Sequence, residues 1–481
     1  MNRQELIGQL EQYINSHRDD IVEDLKSLVR IPSISEEGTE EKPFGEGCAK
    51  VLDYALSMAE KKGFIANNHG NWYGTAFLER RKEDESLIGI FSHLDVVEPG
   101  EGWTYEPFDP VEVNGFLIGR GAGDNKSGAV IGLYTMQAIQ ELKIPLESNL
   151  MLYFGCNEEA GMKDAERFAK EHVMPDYSMV PDLFFPVCYG EKGSLKLTLQ
   201  STTEFKQILE FHSGKAENMI PAKAEAVLPY VESLYEEAKS REKGRTDIEI
   251  SKKDDKIVIT SKGIGGHSAI PKGTINGIWL LMDFLKDLTA LDDSDREICR
   301  VLAEFTGDTE GRPLGIGWED EPSGKLVCSA VKAQMDDNIP EIMFSIRYPV
   351  TDYRERIESE ILKIIDEKGF AIKSAVNSDP MYIPKDDPYV QTLMRTYREV
   401  TGKDNQPYVI DGGTYARKLK HAVGYGGGNG VGADFLPKGH GAVHQPDEAR
   451  NIQGILDAIK LYVISALEID ELIKKRGKTE G

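Results

Sequence analysis

The chain has 481 residues, 40% of them hydrophobic and 29% charged, which argues against wholesale disorder and suits a globular protein of two or three domains. Lysine and arginine number 57 against 81 aspartates and glutamates, a formal net charge of −24. A surface this negative repels phosphate backbones and anionic lipid, so neither nucleic acid nor membrane is an expected partner, and the charge reads first as solubility.

The N-terminal segment alternates charges with apolar residues at helical spacing. It predicts a helix from about Gln4 to Val29 with Leu6, Leu10, Ile14, Ile21, Leu25 and Leu28 on one face. Ile31-Pro32 ends it, because the residue before proline is pushed out of the helical region. The segment has no apolar core of the signal-peptide kind, and no stretch approaches the ~20 apolar residues of a membrane span. The five cysteines (Cys48, Cys156, Cys188, Cys299, Cys328) never form a CxxC pair, so neither a disulfide framework nor a sulfur zinc site follows. These features predict a cytoplasmic protein.

A second helix fits Cys48 to Lys62, closed by Gly63. The apolar runs Leu87–His93 and Asn149–Cys156 read as strands buried on both faces, with a helix at Ser127–Leu142 between them. Strand, helix, strand at this spacing predicts a mainly parallel α/β sheet. After Gly190 the pattern changes. Alternating strands over about Ser194–Thr260 and Lys325–Ala371, with helices at Ile275–Leu291 and Tyr353–Lys368, predict a separate α+β layer structure. Pro384–Pro388 marks a boundary, and Tyr389–Val400 begins a helix that Gly402 stops.

Acidic residues and histidines gather at strand ends and glycine turns, where a solvated helix face does not explain them. In Ser92-His93-Leu94-Asp95, residues i and i+2 of an extended chain point the same way, so Asp95 can accept the spare N–H of His93, as a metal-bound imidazole requires. Taken alone, HxD more often marks a structural histidine. The turn GRGAGDNKSG (Gly119–Gly128) meets neither GxGxxG nor GK[ST]; it delivers Asp124 at the carboxyl end of a strand, where α/β proteins place active sites. Asn157-Glu158-Glu159-Ala160-Gly161 leaves a buried strand with two adjacent carboxylates on opposite sides. Asp182, in VPDLFFP, and His444, in GAVHQPDE, complete the set.

These donors are nitrogen and oxygen without sulfur, which suits zinc, manganese or cobalt. Two ions fit better than one. Asp124 can bridge them, with His93 and Asp182 completing one site and Glu159 and His444 the other. Two divalent ions, three carboxylates and a bridging hydroxide then sum to zero charge. Glu158 is left as the free general base.

The ordered segments SHLDVV, GRGAGDNKSG, NEEAG, VPDLFFPVCYGEKG, GIGGHSAIPKGTING, SIRYPV, DGGTYAR and HQPDEA resemble those of the co-catalytic di-zinc exopeptidases, a family of aminoacylases, carboxypeptidases and Xaa-His dipeptidases. The likeness runs from about Glu5 to Leu467 and is nearest to bacterial dipeptidases of the peptidase V type. It implies the ligand set above, with Asp95 orienting His93 and Glu158 as base. It also implies a discontinuous catalytic domain (residues 1–190 and 384–481) with an inserted α+β lid (191–383). His267 then stabilises the oxyanion, Asn218 and Arg347 hold substrate, and Asp411–Thr414 lies near the substrate carboxylate. A lid of about 190 residues is long enough for two halves, so His267 can serve its own chain in a working monomer. The resemblance further implies a cis Asp124–Asn125 peptide.

Two positions depart from the family. Asn125 stands where an aspartate is common, which removes a charge beside the bridge, and Asn157 replaces an aspartate before the Glu158–Glu159 pair. His440 competes with His444 as ligand, although the glycines around it forbid a helical HxxxH site. YGGGNGVGA (Tyr425–Ala433) can be forced into GxGxxA, but Pro437 and Gly439 deny it the helix that dinucleotide binding needs. No GxSxG elbow surrounds Ser268. The expected activity is hydrolysis of small dipeptides. Its rivals are an N-acyl-amino-acid deacylase with the same machinery and a catalytically silent binding protein of the same fold.

Overall fold

The computed structural model describes residues 2–80, 82, 85–427 and 433–480, the last four by backbone alone. The Gly-rich stretch read between Tyr425 and Ala433 therefore falls partly outside the described residues. The chain divides into two compact units: Met1–Tyr189 with Ile383–Tyr408 and Gly413–Gly481, and Gly190–Tyr382 with Val409–Gly412. The second unit thus takes in Val409–Gly412, which sequence reading gave to the first. The cause is local: Lys192 N–H donates to Ile410 O at 2.9 Å, and Lys192 Nζ pairs with Asp411 Oδ1 at 2.9 Å.

The first unit is built on a mainly parallel sheet. Leu87–His93 lies between Asn149–Gly155 and Tyr177–Val180, parallel to both, and Ala422–Gly424 runs parallel to Tyr177–Val180. Two antiparallel strands, Tyr73–Phe77 and Ile65–Asn68, extend it beyond Asn149–Gly155. Both central strands are buried at every position, as their unbroken apolar runs require. The helices Gly45–Lys61 and Lys126–Glu141 arise where the 3.6-residue pattern places them.

The single N-terminal helix read from the sequence is two helices, Arg3–Ser16 and Arg18–Val29. The break is at His17, whose Nδ1 lies 2.8 Å from Tyr13 O and competes for a carbonyl near the first helix's end. The apolar face survives the break: Leu10, Ile21, Leu25 and Leu28 are all fully buried.

The second unit carries an eight-stranded sheet whose pairings are all antiparallel, from Ile248–Lys253 at one edge to Phe370–Ser378 at the other. Helices Glu232–Glu242, Gly277–Leu285, Asp293–Thr306 and Arg354–Glu367 share one hydrophobic core with it. Arg354–Glu367 buries Ile357, Ile361 and Ile365 at a spacing of four, and each contributes roughly 1.5–3 kcal/mol by leaving water. The helix read as Ile275–Leu291 is shorter, Gly277–Leu285, with Asn276 capping it through the N–H of Ile278. Among the described residues no helix is long and apolar enough to cross a membrane.

Candidate metal centre

Parallel strands align their carboxyl ends, and here register makes the alignment tight. His93 is opposite Gly155, and the N–H of Leu94 donates to Gly155 O at 2.8 Å. His93 at one strand end and Glu158–Glu159 just past the next therefore emerge side by side, with Asp182 just past the third. Asp124 arrives from the glycine turn before the helix Lys126–Glu141. Asn125 caps that helix, its Oδ1 accepting Gly128 N–H at 3.1 Å, and a Cβ at Gly128 would lie 2.1 Å from the same oxygen. The Asp124–Asn125 peptide is cis.

His93 Nε2 lies 2.9 Å from Asp124 Oδ1 and 3.6 Å from Asp182 Oδ1. His444 Nε2 lies 3.1 Å from the other oxygen of Asp124 and 2.9 Å from Glu159 Oε1. Asp124 thus faces one imidazole with each carboxylate oxygen. Donor atoms of His93, Asp124 and Glu159 fall within 4.8 Å of one another, and so do those of His93, Glu158 and Asp182. Glu158, expected as a free base, therefore reaches the same point as two of the expected ligands. His440 instead turns its Nδ1 to Asp447 Oδ2 at 2.7 Å.

The electrostatics fit a cation-binding site. Burial pushes Glu158 well above the usual carboxylate range, reinforced by Asp182, Glu159 and Asp124 against His93. Burial and the charge of Asp124 raise Asp182 to about 7. Burial would also raise Asp124, but its bonds to His444 and His93 win and hold it below the usual range. Bonds to Asp124 and Glu159 lift His444 to about 10. Among the described residues no lysine or arginine pairs with these carboxylates; the ion-pair partners of Asp124, Asp182 and Glu159 are the two imidazoles. Converging anions with only nitrogen and oxygen donors suit divalent ions.

Several groups that sequence reading did not single out hold these turns. The ring N–H of His93 was expected to meet the carboxylate of Asp95. It lies nearer the backbone carbonyl, with Nδ1 at 2.9 Å from Asp95 O and 3.5 Å from Oδ1. The strand ends at His93, so the carbonyl two residues on folds back under the ring. The carboxylate of Asp95 is turned to the N–H groups of Glu158 (3.2 Å) and Glu159 (3.0 Å). Glu448 accepts the N–H groups of Gly123 (2.8 Å) and Asp124 (2.9 Å) on Oε1 and pairs with Arg120 Nη1 at 2.7 Å through Oε2. Both side chains of that pair are only 1% exposed. Asp447 accepts Thr104 and Tyr105 N–H at 2.8 and 3.0 Å, fixing the segment that presents His444. Lys126 is driven down to about 7 by burial and donates to Leu28 O and Ile31 O at 3.0 and 2.8 Å. Asn157 donates to Ser35 Oγ and accepts Lys163 N–H, both at 3.0 Å, a pair of roles an ionised aspartate cannot combine. Glu448 lies within the quoted HQPDEA segment; nothing in its spacing says which amides it would accept.

The remaining expected residues are in the second unit. Met219–Ile220 pairs with Gly266–His267, and Ser268 N–H donates to Asn218 O at 2.9 Å, so Asn218 and His267 are neighbours with exposed side chains. Ser268 Oγ reaches Ser345 Oγ at 3.2 Å, and Ser345 shares a strand face with Arg347. The Arg347 guanidinium donates to Ser194 Oγ at 2.5 Å.

The sequence matches Peptidase family M20/M25/M40 over residues 89–468. A Bacillus subtilis protein named "Putative dipeptidase YtjP" is 32% identical over 471 residues, covering 94% of this chain and 97% of its own. A similarly named protein of Staphylococcus saprophyticus is 28% identical over 472 residues, covering 95% of this chain and 98% of its own. Human carnosine dipeptidase 1 shares the fold at a TM-score of 0.56 and 17% identity, over 97% of this chain and 99% of that one. The di-peptidase Dug1p of Saccharomyces cerevisiae does so at 0.57 and 14%, over 97% and 98%. The chain belongs to peptidase family M20/M25/M40 and is a peptide-bond hydrolase.

Proposed function

We propose that this member of peptidase family M20/M25/M40 is a metal-dependent dipeptidase. The observation that carries the reading is the convergence of His93, Asp124, Glu159, Asp182 and His444, with Glu158 reaching His93 and Asp182. His93 and Asp182 would hold one divalent ion and Glu159 and His444 a second, with Asp124 shared. Zinc suits the donors best, and manganese or cobalt is compatible. Ions held there would supply Lewis acidity toward the scissile carbonyl and the attacking water.

Glu158 takes the proton of that water and returns it to the leaving amine, which needs a base whose pKa lies near the working pH. Its burial among carboxylates supports that role. The carbonyl of Asp95 takes the Nδ1 proton of His93, which would leave the Nε2 lone pair free to hold an ion. His267 is assigned to the oxyanion, and Asn218 and Arg347 to the substrate. The reading includes a monomer acting on small dipeptides in the cytoplasm; five buried cysteines, none of them in a disulfide, support that compartment.

The test is metal-free protein supplied with Zn²⁺, Mn²⁺ or Co²⁺ and assayed on dipeptides, tripeptides and N-acetyl amino acids. Chelation is expected to abolish dipeptide hydrolysis and lower Tm, with both restored by the ion. Turnover of N-acetyl amino acids without dipeptides would turn the assignment to a deacylase. No turnover of any substrate in metal-loaded protein would leave a binding protein.

A further inference from the structure

The Glu158 turn is tied at more points than its two expected roles require. Asp95 takes the N–H groups of Glu158 and Glu159, and the two preceding ones, of Cys156 and Asn157, go to Asp164 Oδ2 at 2.7 and 3.1 Å. Four successive amides thus end on two fully buried carboxylates. A carboxylate only accepts, and bonds to its charged form are short and strong, so each oxygen acts as a fixed peg for the backbone.

Asp164 sits in the first turn of the helix Lys163–Glu171. The same Oδ2 takes a third donor, the hydroxyl of Tyr415 at 2.5 Å, from a residue 251 positions away in sequence. The Tyr415 ring is edge-on to His93 at 6.3 Å and to Tyr153 at 5.6 Å, and it is 1% exposed. Its hydroxyl rests against Gly155, the last residue of the strand before the turn. A Cβ there would lie 1.9 Å from the hydroxyl oxygen, so only glycine admits the phenol. Tyr415 directly follows Asp411–Thr414, the segment that the family resemblance places near the substrate carboxylate.

We propose that Asp164 and Tyr415 are positioning residues for Glu158: they set the point at which its turn leaves the sheet, and Tyr415 ties that point to the Gly413-Thr414 segment. The proposal rests on the reading of Glu158 as base. Neither side chain is an expected ligand, and among the described residues the hydrogen bonds that hold Glu158 are to its backbone, so losing the peg shifts the turn while every expected ligand side chain remains. Displacement of a reacting group by about 1 Å costs on the order of a hundredfold in rate.

Tyr415→Phe deletes one hydroxyl and keeps the ring packing, so the variant is the one suited to fold. In zinc-loaded enzyme acting on a dipeptide, kcat is expected to fall about tenfold, with KM within about twofold and metal content at the wild-type level. Asp164→Asn is expected to lower kcat about a hundredfold with the same split. Adding Tyr415→Phe to it is expected to cost less than the two single losses multiplied, because both substitutions act through the same hydrogen bond. Wild-type kcat in Tyr415→Phe, a fall matched by lost metal, or multiplicative losses in the double variant would overturn the proposal. Glu158→Gln, run alongside, separates the two failures. If it retains turnover, the base assignment falls and the proposal with it; if it is inactive while Tyr415→Phe is wild type, the positioning role alone falls.

Discussion

The metal-side turns of the first unit and the Asn218–His267 strand pair of the second are fixed in opposite ways. His93 and Asp95 are fully buried, and the amides beside them end on carboxylates. His267 is exposed on a two-residue ladder and Asn218 just before its partner strand, steadied by neutral contacts such as Ser329 Oγ to Ser268 O at 2.8 Å. A neutral hydrogen bond contributes about 0.5–1.5 kcal/mol and one to a charged group about 1.5–3. Metal ligation tolerates only ~0.2 Å of error, whereas groups that meet a small flexible substrate gain from adaptability. The contrast teaches that the donor turns of the first unit are pre-set by buried charged groups, whereas the exposed pair of the second unit is held only by weaker neutral contacts.

The sharpest way to break this contrast is at the adjacent glutamates. Glu158→Gln is expected to lower kcat about 10³-fold while both ions remain bound, as measured by metal analysis of the purified variant. Glu159→Gln, one position on, should instead release an ion; a reversed metal content would exchange the two roles. Next in size is Glu448→Gln, which leaves Arg120 buried without its counter-charge and is expected to cost about 3 kcal/mol in urea unfolding. An unchanged unfolding midpoint would mean that the metal-side turns are not held by that pair.

On the softer side, His267→Ala is expected to reduce kcat about 10²-fold, in the range for one lost oxyanion donor, with Tm and metal content unaltered. Loss of metal in this variant would place the imidazole among the ligands. The smallest effect is expected from Arg347→Lys, which keeps the charge and loses the planar fork, for about a tenfold fall in kcat/KM on dipeptides. Equal cleavage of dipeptides and their amides by wild-type enzyme would show that no carboxylate is read there.

The difference between the two sides also governs how much was legible in the sequence. Candidate ligands at strand ends and turns come with short local patterns: SHLD, GDN and NEEAG each place a donor beside residues of fixed conformation. The strands Leu87–His93 and Asn149–Gly155 were readable because a run buried on both faces is apolar throughout. The break at His17 was not, since the apolar face continues across it and only a side chain taking a backbone carbonyl interrupts the helix.

The sequence by itself determined the fold class, the parallel core with its second α+β unit, and which residue types could hold ions, because periodicity and donor chemistry are written locally. Tertiary structure alone decided which groups hold those donors in place. Glu448 reaches the amide of Asp124 from 324 positions away and Tyr415 reaches Asp164 from 251, and no local pattern says where two distant segments meet. The same holds for Val409–Gly412, drawn into the second unit by a backbone bond and one ion pair. A hydrogen bond between remote segments depends on the packing of everything between them, so it exists only once the chain has folded.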